Sequence, residues 1–291
     1  MTLRVLVTGG AGSLGRAIVS KLSSIPDPPL IRVFDLPSAD FGGFTGLPTV
    51  ELIKGDINDT ALLQEAVQGV DAVIHLAAIL PPRSEYDRAK TMKINVGGTD
   101  VLIKSLTRED RACRIIFSSS TAVYGDTSGE HAPIRSDHPL APCDVYSESK
   151  ALAESLIQTS RIPYTILRIS GIAVPELVEL PDRLPFRRDQ RVEFISRDDA
   201  SLAFVNALSG DCEYATFNIA GGASWQMRGE EYVEKLYGFL GVSKEARYSE
   251  TYTWLDWYDT ADSQRTLRYQ EMDLNLFVDR LKKMAHKAGL I

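Results

Sequence analysis

Runs of apolar residues too short for helices recur at Leu3–Val7, Leu30–Phe34, Val50–Ile53, Ala72–His75, Arg114–Phe117, Tyr164–Leu167, Val192–Ile195 and Thr216–Ile219. Each is read as a strand. Between them, Gly15–Ser23, Asp59–Gln68, Val96–Thr107, Tyr146–Thr159 and Arg197–Leu208 place apolar residues at i, i+3, i+4 spacing, which predicts amphipathic helices. Strand and helix alternate, the signature of right-handed βαβ units. The expected fold is therefore α/β, a Rossmann-type doubly wound parallel sheet.

Two stretches break the alternation. Pro175–Arg191 is poor in apolar residues and holds Pro181, Pro185, Arg183, Arg187 and Arg188, and Gly221–Ile291 reads as helices with no clear strand partner. Ligand contacts in open α/β sheets come from beyond the carboxyl ends of the strands. Residues 1–170 with about 192–220 are thus expected to form the dinucleotide-binding domain. Residues 171–191 and 221–291 are expected to form a smaller, discontinuous C-terminal substrate domain.

Composition narrows the class. The 291 residues are 44% hydrophobic and 24% charged with a formal charge of −7, an ordinary globular balance without the cationic excess of a nucleic-acid binder. Cys113, Cys143 and Cys212 are odd in number and scattered, so neither a disulfide framework nor a zinc site is indicated. The first apolar run is too short for a signal sequence, and none approaches a membrane span. A soluble, cytoplasmic protein with no membrane or nucleic-acid partner is expected.

The strongest motif follows the first strand: Thr8-Gly9-Gly10-Ala11-Gly12-Ser13-Leu14-Gly15, leading straight into a helix. Glycines there allow a tight turn, close approach of backbone amides to a pyrophosphate and a helix N-terminus facing the anion. Asp35 ends the second strand at the separation expected of a carboxylate that accepts from the adenosine ribose. Its charge repels a 2′-phosphate, which selects NAD over NADP. In Gly55-Asp56-Ile57, Asp56 reads either as a contact to the adenine amino group or as a helix cap.

These residues carry a resemblance. TGGxGxxG at 8–15, His75-Leu76-Ala77-Ala78, Asn95-Val96-Gly97-Gly98-Thr99, Ser118-Ser119-Ser120 with Val123-Tyr124-Gly125, Tyr146-Ser147-Glu148-Ser149-Lys150 and Leu167-Arg168 match, in order, the extended short-chain dehydrogenases/reductases of the NAD-dependent epimerase/dehydratase type. The resemblance implies that the backbone at Leu76, Ala77 and Ala78 lies along the nicotinamide ribose and that Asn95 holds a helix near the active site. It also implies a homodimer through the helices that begin near Asn95 and Tyr146.

Tyr146 and Lys150, four apart, share a helix face. A phenol is a poor base near neutrality, but a nearby ammonium and a bound nicotinamide cation favour the phenolate. Tyr146 can then take a hydroxyl proton while hydride leaves the same carbon, with Lys150 lowering the phenol pKa and holding the ribose. Ser120 orients the alcohol and stabilises the developing carbonyl oxygen. All three match the family's catalytic positions. The VYG tyrosine, Tyr124, is read as pocket-lining.

Net dehydrogenation and epimerisation through a ketone both remain open. Dehydration is disfavoured, because Thr121 and Ala122 stand where the family's dehydratases carry Asp and Glu. Arg191 occupies the place of the arginine that binds the diphosphate in nucleotide-sugar members. Against that, the Arg168–Arg191 stretch is short and Ile172-Ala173-Val174-Pro175 departs from their Tyr-Gly-Pro, so a free sugar, uronate or hydroxy acid is the alternative. Trp254-Leu255-Asp256-Trp257-Tyr258-Asp259-Thr260 reads as packing for the small domain, with Asp259 or Thr260 capping the next helix, or as a sugar-stacking surface.

Overall fold

The computed structural model describes residues 2–109, 111–176, 182–208, 211–241 and 246–291. Pro181 lies outside them. The strands are β1 (Arg4–Thr8), β2 (Leu30–Asp35), β3 (Val50–Lys54), β4 (Ala72–His75), β5 (Arg114–Ser120), β6 (Tyr164–Ile169), β7 (Gly171–Ala173), β8 (Arg191–Val192), β9 (Phe194–Ser196), β10 (Ala215–Ile219) and β11 (Met227–Arg228). The helices are α1 (Ser13–Ser24), α2 (Thr60–Val67), α3 (Arg83–Tyr86), α4 (Arg88–Met92), α5 (Gly98–Leu106), α6 (Val145–Thr159), α7 (Arg197–Ala207), α8 (Gly229–Tyr237), α9 (Ala261–Leu267) and α10 (Leu274–Lys287).

Seven strands form one parallel sheet in the order β10-β6-β5-β4-β1-β2-β3. The order reverses between β1 and β4, which opens a crevice beyond their carboxyl ends. Both faces are covered. Val5, Val7, Val33 and Ile74 pack with α1 and α7 on one side, while Leu6, Val73, Ile115 and Ile166 pack with α2, α5 and α6 on the other. Burial on both faces is why these strands read as continuous apolar runs rather than alternating ones.

The run Val192–Ile195 is not one strand. Arg191–Val192 pairs antiparallel with Met227–Arg228, and Phe194–Ser196 pairs parallel with Gly171–Ala173. Between them Glu193 turns inward, fully buried, and accepts from the amides of Gly222 and Tyr258 and from Gln226 Nε2 at 2.8 to 3.0 Å. The expectation that 221–291 lacks a strand partner is corrected by β11. Around this join a third apolar cluster gathers Leu184, Phe186, Val192, Trp225, Tyr232 and Phe277. No helix among the described residues is long and apolar enough to cross a membrane.

Candidate active site

The glycine loop closes the β1–α1 turn. Gly9 has φ of +68°, and a Cβ there would sit 2.8 Å from the Ala77 nitrogen, so both conformation and space require glycine. A Cβ at Gly15 would meet the Gly10 carbonyl oxygen at 2.5 Å, so its absence lets α1 dock on the loop. The N-cap of α1 is Gly12, without a side-chain acceptor, and its first turn holds no acid. Its positive end is left for an external anion. Ser13 is exposed and Leu14 half-buried at that end. At the tip of β2, Asp35 Oδ2 accepts from the Ala11 amide at 2.9 Å, which ties the carboxylate to the same loop. Loop, helix end and carboxylate fit a dinucleotide.

Leu76, Ala77 and Ala78 run half-buried past Thr8, whose carbonyl accepts from the Leu76 amide at 3.0 Å. Asp56 is exposed and accepts from both the backbone and the side-chain amide of Asn58, which keeps its pKa below the ordinary carboxylate value. Asp59, not Asp56, caps α2. Ile57 is a core residue packed against Gly98, so of this pair only Asp56 offers a side chain to a ligand.

Ser120, Tyr146 and Lys150 come together at the carboxyl end of β5. The Ser120 hydroxyl lies beside the Tyr146 phenol, closely enough to draw its pKa down, and Lys150 Nζ lies 5.7 Å from the Tyr146 ring centre, donating to the Ser118 carbonyl at 2.8 Å. Burial raises the Tyr146 pKa above its usual value, and Ser120 pulls the other way. Burial draws Lys150 down to about 7 while Glu154, one turn further on, draws it up.

The sign of this shift is testable. With Lys150 at about 7 folded and at its ordinary 10.5 unfolded, the unfolded chain binds more protons between those values, so stability rises with pH across that window. The slope approaches about 1.4 kcal/mol per pH unit for one full proton. Urea unfolding of the ligand-free protein at about pH 7.5 and pH 9.5 should show wild type gaining on Lys150→Met, and parallel pH responses would contradict the lowered Lys150 pKa.

The framework that places Tyr146 was only partly visible in the sequence. Asn95 sits in a π-helical turn, Lys93–Gly97, that precedes α5; it accepts from the Ile79 amide at 2.7 Å and donates to Ser149 Oγ at 2.8 Å. α6 begins with an Asp144–Ser147 capping box, and the Glu85 carboxylate accepts from the Val145 and Tyr146 amides at 3.0 and 3.1 Å. These bonds satisfy amides that a helix start leaves unpaired. Glu85 carries no local sequence signal, lying 61 residues from Tyr146.

His75 is buried with Nδ1 2.6 Å from Thr8 Oγ1 and Nε2 3.0 Å from Thr99 Oγ1. Thr99 Oγ1 donates to the Asn95 carbonyl, so the consistent tautomer carries its proton on Nε2. Burial, helped by Lys150, pushes its pKa down to about 3. The imidazole is a neutral tie between the glycine loop and the Asn95 turn.

Two of the expected substrate contacts, Tyr124 and Arg191, have protein partners of their own. Tyr124 is buried, its hydroxyl donating to Asn218 Oδ1 at 2.5 Å and accepting from Arg168 at 3.0 Å, so the phenol belongs to the interior. Arg191 forks onto buried Asp256, Nε to Oδ1 at 2.5 Å and Nη2 to Oδ2 at 2.9 Å, and Nη2 also donates to the carbonyls of Thr127 and Glu130. Its charge is matched by a carboxylate and two of its nitrogens are taken. Arg183, Arg187 and Arg188 likewise pair with Glu250, Asp189 and Glu230. In the aromatic segment, Asp259 rather than Thr260 takes the first amide of α9. A groove of about 560 Å³ between α8 and α10, lined by Glu231, Lys235, Phe239 and Leu274 among others, shares no residue with this site.

Residues 6–162, which hold the glycine loop, Ser120, Tyr146 and Lys150, match the profile of the 3-beta hydroxysteroid dehydrogenase/isomerase family. The chain belongs to that family. Among its relatives, a 3 beta-hydroxysteroid dehydrogenase/Delta 5-->4-isomerase of Monkeypox virus is 34% identical over 155 residues, which are 52% of this chain and 44% of the relative. A D-erythronate dehydrogenase of Cupriavidus necator is 31% identical over 184 residues, 59% of this chain and 56% of the relative. The chain spans about half the length of these relatives. A short-chain dehydrogenase/reductase superfamily protein from Agrobacterium tumefaciens, solved with bound NAD, superposes with a TM-score of 0.79 over 98% of this chain and 99% of its own at 22% identity. That likeness shows that the two chains share a fold.

Proposed function

We propose that this family member is an NAD-dependent oxidoreductase acting at a secondary alcohol of a small, non-nucleotide substrate such as a sugar, uronate or hydroxy acid. The observation that carries it is the convergence of Ser120, Tyr146 and buried Lys150 at the carboxyl end of β5, next to a glycine loop and Asp35 that suit NAD. When bound, the nicotinamide supplies a hydride acceptor. Tyr146 takes the proton of the substrate hydroxyl, Ser120 donates to the oxygen as it becomes a carbonyl, and the carbinol hydrogen leaves as hydride. Lys150 stabilises the phenolate that Tyr146 must form, and it is the group that can offset the cost of burying that charge.

The substrate side follows from Arg191. A guanidinium already forked onto Asp256 is a poor receptor for a diphosphate, which disfavours a nucleotide sugar. Arg83, exposed at the start of α3 and without a carboxylate partner among the described residues, stands two positions from Glu85 and is the better candidate to meet a substrate anion. Elimination finds no machinery, since Thr121 is buried against the Ile169 carbonyl and Ala122 has no proton to move. Residues 171–191 and 221–291 are taken as the substrate side of the molecule.

The test is NADH formation by the purified protein with NAD and a panel of free sugars, uronates, hydroxy acids and nucleotide sugars, with product stereochemistry read by NMR. Stoichiometric NADH with a small substrate is expected. Inversion of a nucleotide sugar without net NADH would replace this reading with an epimerase.

A further inference from the structure

Arg197 opens α7, yet its side chain reaches the cofactor loop. Nη1 lies 3.0 Å from Ser13 Oγ, the first residue of α1, and 2.6 Å from Glu176 Oε1. Nε is buried and meets no hydrogen-bond acceptor among the described residues. A buried N–H without an acceptor is costly, and a ligand oxygen placed there would relieve that cost. The neighbouring acids do not supply it: Asp198 is paired with Arg280, and Asp199 accepts from the backbone amides of Glu271 and Met272. What the place lacks is an anion with several acceptor oxygens, at the uncapped end of α1.

We infer that Arg197 clamps the pyrophosphate of the bound dinucleotide and that Glu176 is its counter-ion until the dinucleotide arrives. The inference rests on the NAD reading of the site. A guanidinium can present two parallel N–H groups to phosphate oxygens, and Nε with an Nη is such a pair. Glu176 competes for the same guanidinium, so its charge lowers affinity for the dinucleotide. Nothing in the sequence motifs marks Arg197, which lies 184 residues from Ser13.

Titration calorimetry with NAD and with ADP-ribose separates the parts of this account. Both ligands carry the pyrophosphate and only NAD carries nicotinamide. Arg197→Gln is expected to weaken both by about tenfold or more, with the thermal midpoint of the ligand-free protein little changed. Glu176→Gln is expected to tighten both by about threefold, an effect that shrinks with added salt. Arg197→Gln binding both ligands like wild type, or losing affinity for NAD alone, would overturn the clamp. If Arg197→Gln does not fold, Glu176→Gln decides: tighter binding supports the clamp, and unchanged or weaker binding overturns it. A wild-type protein that binds neither ligand removes the NAD reading itself, and the clamp with it.

Discussion

Tyr146→Phe is expected to lower turnover by about 10²- to 10⁴-fold, the range for removing a general acid–base group, while NAD affinity stays near wild type. The ring remains to fill its buried place, and only the hydroxyl beside Ser120 is lost. On the proposed reading the phenol exchanges a proton with the substrate alcohol, and at the carboxyl end of β5 it has the Ser120 hydroxyl and the buried Lys150 side chain beside it. Steady-state rates for the variant, with calorimetric NAD binding as the control, check it. A rate within about threefold of wild type would remove Tyr146 from the chemistry, well below the range expected for such a group.

The largest stability effect is expected one layer behind the site. Glu154 and Arg168 form a buried two-pronged ion pair, Oε1 to Nε at 3.0 Å and Oε2 to Nη2 at 2.7 Å, and Glu154 also accepts from Ser119 Oγ at 2.5 Å. Arg168 passes the contact on to Tyr124, and Tyr124 to Asn218. Glu154→Ala leaves a guanidinium in the interior without its counter-charge, at a cost of about 3 to 5 kcal/mol. The double replacement Glu154→Leu with Arg168→Met removes both charges and should cost clearly less. Urea unfolding of the three proteins at one pH measures the difference. Equal losses for the single and double variants would mean that the pair is not the source of the effect. Because Glu154 also draws the Lys150 pKa up, its removal should shift Lys150 further towards the neutral amine.

What the sequence made legible is what rests on local or periodic signals. The five inner sheet strands announce themselves because burial on both faces demands unbroken apolar runs, and the glycine loop because Gly9 has room for nothing larger. Ser120, Tyr146 and Lys150 were readable from order and spacing. The pairing of Arg191 with Asp256 was not legible, because the two stand 65 residues apart and no periodicity links them. Separations of 61 and 184 residues likewise hid Glu85 from Tyr146 and Arg197 from Ser13. The break in Val192–Ile195 did leave a trace: Glu193, a carboxylate inside an apolar run, is the residue at which the chain passes from one small sheet to the other.

The most direct test of hydride transfer is isotopic. A substrate found in the NADH panel, deuterated at its carbinol carbon, is turned over with unlabelled NAD, and the reduced cofactor is examined by mass spectrometry and NMR. The account predicts one deuterium at the reducing position of the nicotinamide, on a single face, with none in solvent. Deuterium retained in the product or washed into water would contradict it.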